Sequence, residues 1–243
     1  MSTYTGETQI FAGVPPVLDE ATPSQVLGTK LVTPDGRAFR YVLAGASALV
    51  TGNLLQSPAE ATGNQSRIVA AAAVGATSVT TTDTVTVTAN QYAGGYLIPT
   101  GEAGTGRGEV YRIKSHPAAT GAVCTFQLED PIQVALSSSS QVDLVASPYS
   151  GVIQNPTTAS GCVVGVAVND ITAAQYGWIQ TRGISAPLAD GALTVGALVV
   201  ASNGTAGAVE VATNASTEAQ APVGYAATGV ATTENGAVFL TID

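Results

Sequence analysis

From about Gly28 onward, apolar positions recur in short runs that alternate with Thr, Ser and Gln. Gly, Pro, Asn or Asp closes most of the runs. Alternation with period two predicts strands buried on one face, and the punctuation predicts tight turns. The segment TKLVTPDGRAFRYVLAG (29–45) is the clearest case. Pro34 presets φ, Asp35 tolerates the bend and Gly36 supplies positive φ, so a hairpin is expected there. After the turn, Arg37, Phe39, Tyr41 and Leu43 fall on one face, and Ala38, Arg40, Val42 and Ala44 on the other.

The next runs follow the same grammar. ALVTGNLLQSP predicts a short strand ending before Pro58, and residues 58–66 form a polar connection. The alanine run 70–73 has helix propensity. Gly75 interrupts it, however, and a Thr/Val run with strand preference follows. The expectation is therefore strand, glycine turn, strand. AVCTFQL, IQVAL and QVDLVAS continue at short intervals. After SPYSGVIQNPTTASG come CVVGVAV, GWIQTRG, GALVVAS, AVEVAT, VGYAATG and AVFLTI, with a hairpin signal at Asn203-Gly204. Short strands at regular spacing indicate a sandwich or barrel. The predicted fold is all-β: two small β-sandwich/β-barrel domains, residues 29–155 and 156–243, behind an extended N-terminal arm, residues 1–28. In the arm, Pro15-Pro16 excludes a helix. It is read either as a frayed end or as a segment that orders against a neighbouring subunit.

Composition changes the picture in one respect. Charged residues are 10% of the 243 and aromatics 5%, whereas an average domain carries roughly 25% charged residues. Thr, Ser, Asn, Gln and Gly must cover most of the surface, which suits a chain packed against copies of itself or a partner. Net charge is −9 and the basic residues are scattered, so neither nucleic acid nor an anionic membrane is an expected partner. No apolar run reaches membrane-span length, and the N-terminus lacks the pattern of a signal peptide. Cys124 and Cys162 are expected to be two free, buried thiols.

Candidate chemistry is sparse. Gly101–Glu109 (GEAGTGRGE) places Gly101 and Gly106 at P-loop spacing, but Arg107 and Gly108 stand where Lys and Ser/Thr are required. A hairpin tip is the better reading. His116, the sole histidine, adjoins Pro117 and has no nucleophile elbow to serve, so it is read as a solvated loop residue. Glu129, Asp130 and Asp143 could supply a glycosidase pair, although the aromatic platforms that usually hold sugars are scarce. No His/Cys spacing suits zinc and no run of oxygen ligands suits calcium. The sequence thus assigns no catalytic, cofactor-binding or metal-ligating residue, expects no cofactor, and predicts a protein that is not an enzyme. Trp178, the only tryptophan, shares a strand face with Gln180 and Arg182 and is read as core or subunit-interface packing.

The rhythm from Gly165 to Ile242 resembles the small C-terminal β-barrel of head decoration, or capsid cement, proteins of tailed bacteriophages. The steps that carry the resemblance are Val164-Gly165, Tyr176-Gly177-Trp178, Gly196 to Val199, Asn203-Gly204 and Val223-Gly224. Upstream, TPDGRAFRYVLAGASALVTGNLLQ and GATSVT…YAGGYLI…YRIKSHPAA also look like such proteins, whereas the connection at 58–66 departs from the pattern. The resemblance implies a non-enzymatic virion protein made in the host cytoplasm. It would bind the major capsid protein on the outer capsid surface, often as a homotrimer, and stabilise capsid contacts. The rival readings are a tail-associated or receptor-binding module for a host glycan and a bacterial surface-layer or adhesin fragment. The glycan reader would call for an exposed aromatic cluster, and the surface protein for an export signal.

Overall fold

The computed structural model describes residues 9–11, 16–101, 104–213 and 220–243. The protein is all-β, as the alternation predicts. Its one helical element among the described residues is a 3-10 turn at Thr62–Asn64. Contacts divide the chain into two compact units: residues 1–59 with 148–243, and residues 60–147. This differs from a cut near residue 155. The second unit is inserted into the first, entering within the polar connection 58–66.

Unit 1 begins with β1 (Gln9–Phe11), β2 (Lys30–Val32), β3 (Ala38–Ala44) and β4 (Leu54–Gln56). Unit 2 contributes β5 (Arg67–Ile68), β6 (Ser78–Thr80), β7 (Val85–Val87), β8 (Tyr96–Pro99), β9 (Tyr111–Ser115), β10 (Ala119–Ala122), β11 (Thr125–Leu128) and β12 (Gln141–Val145). The chain returns to unit 1 with β13 (Ser150–Gln154), β14 (Val163–Ala167), β15 (Tyr176–Ser185), β16 (Leu188–Ala189), β17 (Leu198–Ala201), β18 (Ala208–Val211), β19 (Pro222–Ala226) and β20 (Val238–Thr241).

β2 and β3 form the predicted hairpin, with Leu31 opposite Phe39 and Gly36 at φ 82°. β3, β13, β4, β14 and β15 then close into a five-stranded barrel, because β3 pairs with both β13 and β15. Val42, Leu49, Leu55, Val152, Val164 and Ile179 fill its interior. β15 is ten residues long and serves two structures. Its first part pairs with β3; past a register shift between Gln180 and Arg182, the stretch from Arg182 to Ser185 pairs with β20, with Gly183 at positive φ. From there β20, β19, β17, β18 and β16 curl into a half-barrel around Val199, Val209, Val223, Val238 and Leu240.

β4 and β14 are apolar on both sides because they wall both cores. Leu54 and Val166 face the half-barrel core, while Leu55 and Val164 face the barrel. Glycine lets strands approach closely at one point of the half-barrel: a Cβ on Gly224 would lie 2.0 Å from the Phe239 carbonyl oxygen.

Unit 2 is a six-stranded sheet, in the order β5-β12-β8-β9-β11-β6, with a separate β7–β10 pair. Its core gathers Leu97, Ile113, Phe126, Ile132, Val142 and Leu144. The alanine run lies in extended chain, as expected: Val69 bridges to Thr81 and Ala72 to Leu136, with Gly75 at φ 90°.

Candidate functional site

The most elaborated surface of unit 1 lies outside the barrel, where β3 and β15 run side by side. Trp178 pairs with Tyr41 across these strands, and their rings meet edge-on with centroids 5.2 Å apart. Tyr176 stacks on the other side of Tyr41, 6.0 Å away. Phe39 and Leu31 complete the cluster, and Leu18 and Leu27 from the N-terminal segment pack over it. Trp178 is therefore buried packing in this structure. Arene pairs of this kind add about 0.5–1.5 kcal/mol beyond the area they bury.

Polar bonds hold the covering segment, residues 16–28, in place. Glu20 and Tyr176 exchange backbone hydrogen bonds of 3.0 and 2.9 Å. The Tyr41 hydroxyl donates to the Glu20 carboxylate, which also accepts from Ser24. Asp19 accepts from the Thr172 amide at 3.0 Å and its hydroxyl at 2.7 Å, and Asn169 donates to the Leu18 carbonyl at 3.1 Å. Hydrogen bonds from Ser24 and then Tyr41 hold the Glu20 carboxyl below its ordinary range. Burial, followed by the carboxylate beside it, raises the Tyr41 phenol. Further upstream, β1 adds a parallel strand to β2 of its own chain. The rest of the expected arm, residues 1–8 and 12–15, lies outside the described residues.

His116 differs from its expected place: it is buried, not solvated. Its Nε2 accepts the Tyr92 amide proton at 3.0 Å, while Nδ1 sits 2.9 Å from the Pro117 carbonyl and so carries the proton. The Phe126 ring lies 4.8 Å away and the Cys124 sulfur 4.0 Å from Nδ1. Burial pushes the imidazole pKa down, and the Pro117 carbonyl partly offsets this. The same burial raises the Cys124 thiol. Both ring nitrogens are occupied by backbone, which makes His116 a structural link. Cys162 departs from expectation too: both cysteines are free, but only Cys124 is buried.

The remaining candidates occupy structural roles in unit 2. Gly101 and Gly104–Glu109 belong to the loop between the antiparallel strands β8 and β9, with Glu102 and Ala103 outside the described residues. Thr105 ties that loop to the 135–140 segment through Ala135 and Ser140. Glu129 ion-pairs with Arg112 at 3.3 Å. Asp143 accepts from the Ser66 amide at 2.7 Å and the Thr100 hydroxyl at 3.3 Å. Asp143 is on β12 and Glu129 directly follows β11, with β8 and β9 between those strands. That spacing is about 14 Å, wider than the roughly 5–9.5 Å of a glycosidase pair.

Among the described residues no group of three or more His, Cys, Asp or Glu is placed to hold a metal ion, and no helix is long and apolar enough to cross a membrane. One concavity in unit 1, lined by Asp190, Asn203 and Glu210, opens broadly to solvent, and a more enclosed one is lined by Asn155, Gly161, Val163 and Ser202. No protein-family model, curated protein or solved structure matches the chain.

Proposed function

We propose that this protein is a non-enzymatic head decoration protein of a tailed bacteriophage. It binds the outer surface of the assembled capsid and reinforces contacts between major capsid subunits. The observation that carries this reading is where the sequence pattern falls in the fold. Val164-Gly165 lies in β14, Tyr176-Gly177-Trp178 opens β15, Gly196–Val199 enters β17, Asn203-Gly204 turns towards β18, and Val223-Gly224 lies in β19. The steps that carry the resemblance thus fall on strands of one sheet and on the turns that lead into them. The acidic, charge-poor, hydroxyl-rich composition also suits a protein that works by lattice contact.

Mechanically, each copy supplies a small interface, and many copies on a lattice give an avidity that no single contact has. The N-terminal segment extends this scheme. It already adds a strand to a sheet edge in its own chain, which is the mode by which extended segments bind neighbouring sheets.

Calorimetry of expanded heads tests the reading. Added protein is expected to raise the capsid melting temperature saturably. Heads that melt unchanged while the protein co-sediments with tails would replace this reading with the tail-associated one.

A further inference from the structure

The sheet beneath residues 16–28 is complete without them. Leu18 and Leu27 pack on Leu31, Phe39, Tyr41 and Trp178, outside the barrel. The barrel's own core, with Val42, Val164 and Ile179, lies on the other side of β3, β14 and β15. Within residues 16–28 only Glu20 forms a ladder contact, an isolated bridge to Tyr176. Both ends are anchored: upstream β1 pairs with β2, and downstream the chain enters β2 itself. The segment is a strap that can lift without dismantling the barrel and return to the same seat. Gly177 shapes that seat. A Cβ there would lie 2.6 Å from the Leu18 carbonyl oxygen, so glycine lets the strap lie directly on β15.

A carboxylate fastens the middle of the strap. Glu20 accepts from the Tyr41 hydroxyl, the Ser24 hydroxyl and the Ser24 amide, the last at 3.1 Å. Tyr41 is fully buried, whereas Glu20 is half-buried and open to protons from solvent. Hydrogen bonds to an ionised acceptor are roughly twice as strong as neutral ones. The other charged or titratable groups packed around the strap are its own Asp19, Lys30 on β2, Arg40 on β3, Tyr176 on β15 and Asp170 before it. Asp19 accepts from Thr172, and Asp170 from Thr51. Lys30 and Arg40 stand opposite each other on the barrel side of their strands and ion-pair with Asp243. Arg40 also donates to the Gly28 carbonyl at 2.8 Å.

We propose that Glu20 is the latch of an acid-released strap: its protonation loosens residues 16–28 from β3 and β15 while the barrel stays folded. Burial raises the Tyr41 phenol, so the donor keeps its proton and the carboxylate is the partner that changes. Hydrogen bonds from Ser24 and then Tyr41 lower the Glu20 pKa in the fastened strap. The lifted strap therefore takes up a proton first. The fastening tied to Glu20 is complete above the ordinary glutamate value of about 4.3 and is lost as pH falls towards the lowered value. The latch acts within one chain and stands whether or not that chain binds capsids.

Hydrogen exchange of the full chain, followed amide by amide, tests the proposal. The reporters are the Glu20 and Tyr176 amides, which bond to each other's carbonyls. The references are amides of the β3–β15 ladder. From pH 5 to pH 3, protection of the reporters, corrected for intrinsic exchange, is expected to fall about tenfold while the references hold. Glu20→Gln keeps an acceptor without the charge, so its reporters should start about tenfold lower at pH 5 and show no further fall. Reporters that stay constant in the wild type, or an unchanged acid response in Glu20→Gln, would overturn the latch. So would reporters and references that lose protection together.

Discussion

Both ring nitrogens of His116 are committed in its neutral form, one accepting the Tyr92 amide and one facing the Pro117 carbonyl. Protonating Nε2 sets two N–H groups against each other inside a core. The folded pKa therefore lies below the ordinary histidine value, with burial as the main cause. The unfolded chain takes up the proton first. The stability tied to this group is complete above the unfolded pKa of about 6.5 and is lost as pH falls towards the folded value. In full-length Cys162→Ser protein, the buried Cys124 thiol reports opening of unit 2 through its reaction with dithiodipyridine. Its labelling, corrected for free-thiol reactivity, is expected to accelerate from pH 7 to pH 5, and His116→Gln should remove that dependence. Equal pH dependence in the two proteins would contradict this account of His116. The sequence did not reveal the burial because the residues that bond to His116, Asn90 at its backbone and Tyr92 at its ring, arrive from the loop after β7. Pro117 alone suggests a turn, and the turn is real; it simply lies under cover. Cys162 erred in the opposite direction, since its apolar run begins one residue later, at Val163.

At the scale of elements, β3 shows what period-two reading captures and what it omits. The alternation correctly separates Phe39 and Tyr41 from Val42 and Ala44, but it implies one wet face. Instead both faces are buried: Val42 and Ala44 inside the barrel, Phe39 and Tyr41 beneath residues 18–27. The covering segment carries Leu18 and Leu27 among acids and prolines, with no periodicity to mark it. It therefore reads as a loose arm. Deleting residues 1–28 has a consequence beyond any lost contact with a partner, because it uncovers Trp178 and Tyr41. Such a truncation should red-shift the emission of the single tryptophan and cost about 2–4 kcal/mol, whereas deleting residues 1–15 should leave the emission unchanged. Fluorescence and urea unfolding of the two truncations check this. An unshifted spectrum in the longer deletion would show that the segment does not cover the ring.

For the whole molecule, strand content and the six C-terminal strands were legible from punctuation and alternation. The insertion was not. β4 and β13 are hydrogen-bonded neighbours, with Ile153 opposite Gln56, yet unit 2 lies between them in sequence. Local patterns carry no record of such pairings, so the break was placed after β13 instead of before it. The polar connection 58–66 was the visible trace, and it is also where the chain departs from the decoration-protein pattern. If unit 1 is self-sufficient, replacing residues 60–147 with a short Asn-Gly turn should leave a folded protein with blue-shifted Trp178 emission and a cooperative melt. A molten product would mean that the units depend on each other to fold. The central claim concerns where the protein acts, and the most direct measurement is electron cryomicroscopy of expanded heads incubated with the purified chain. The account predicts ordered copies at repeated positions on the outer capsid surface, each touching more than one major capsid subunit; bare heads at saturating protein, or density confined to the tail, would contradict it.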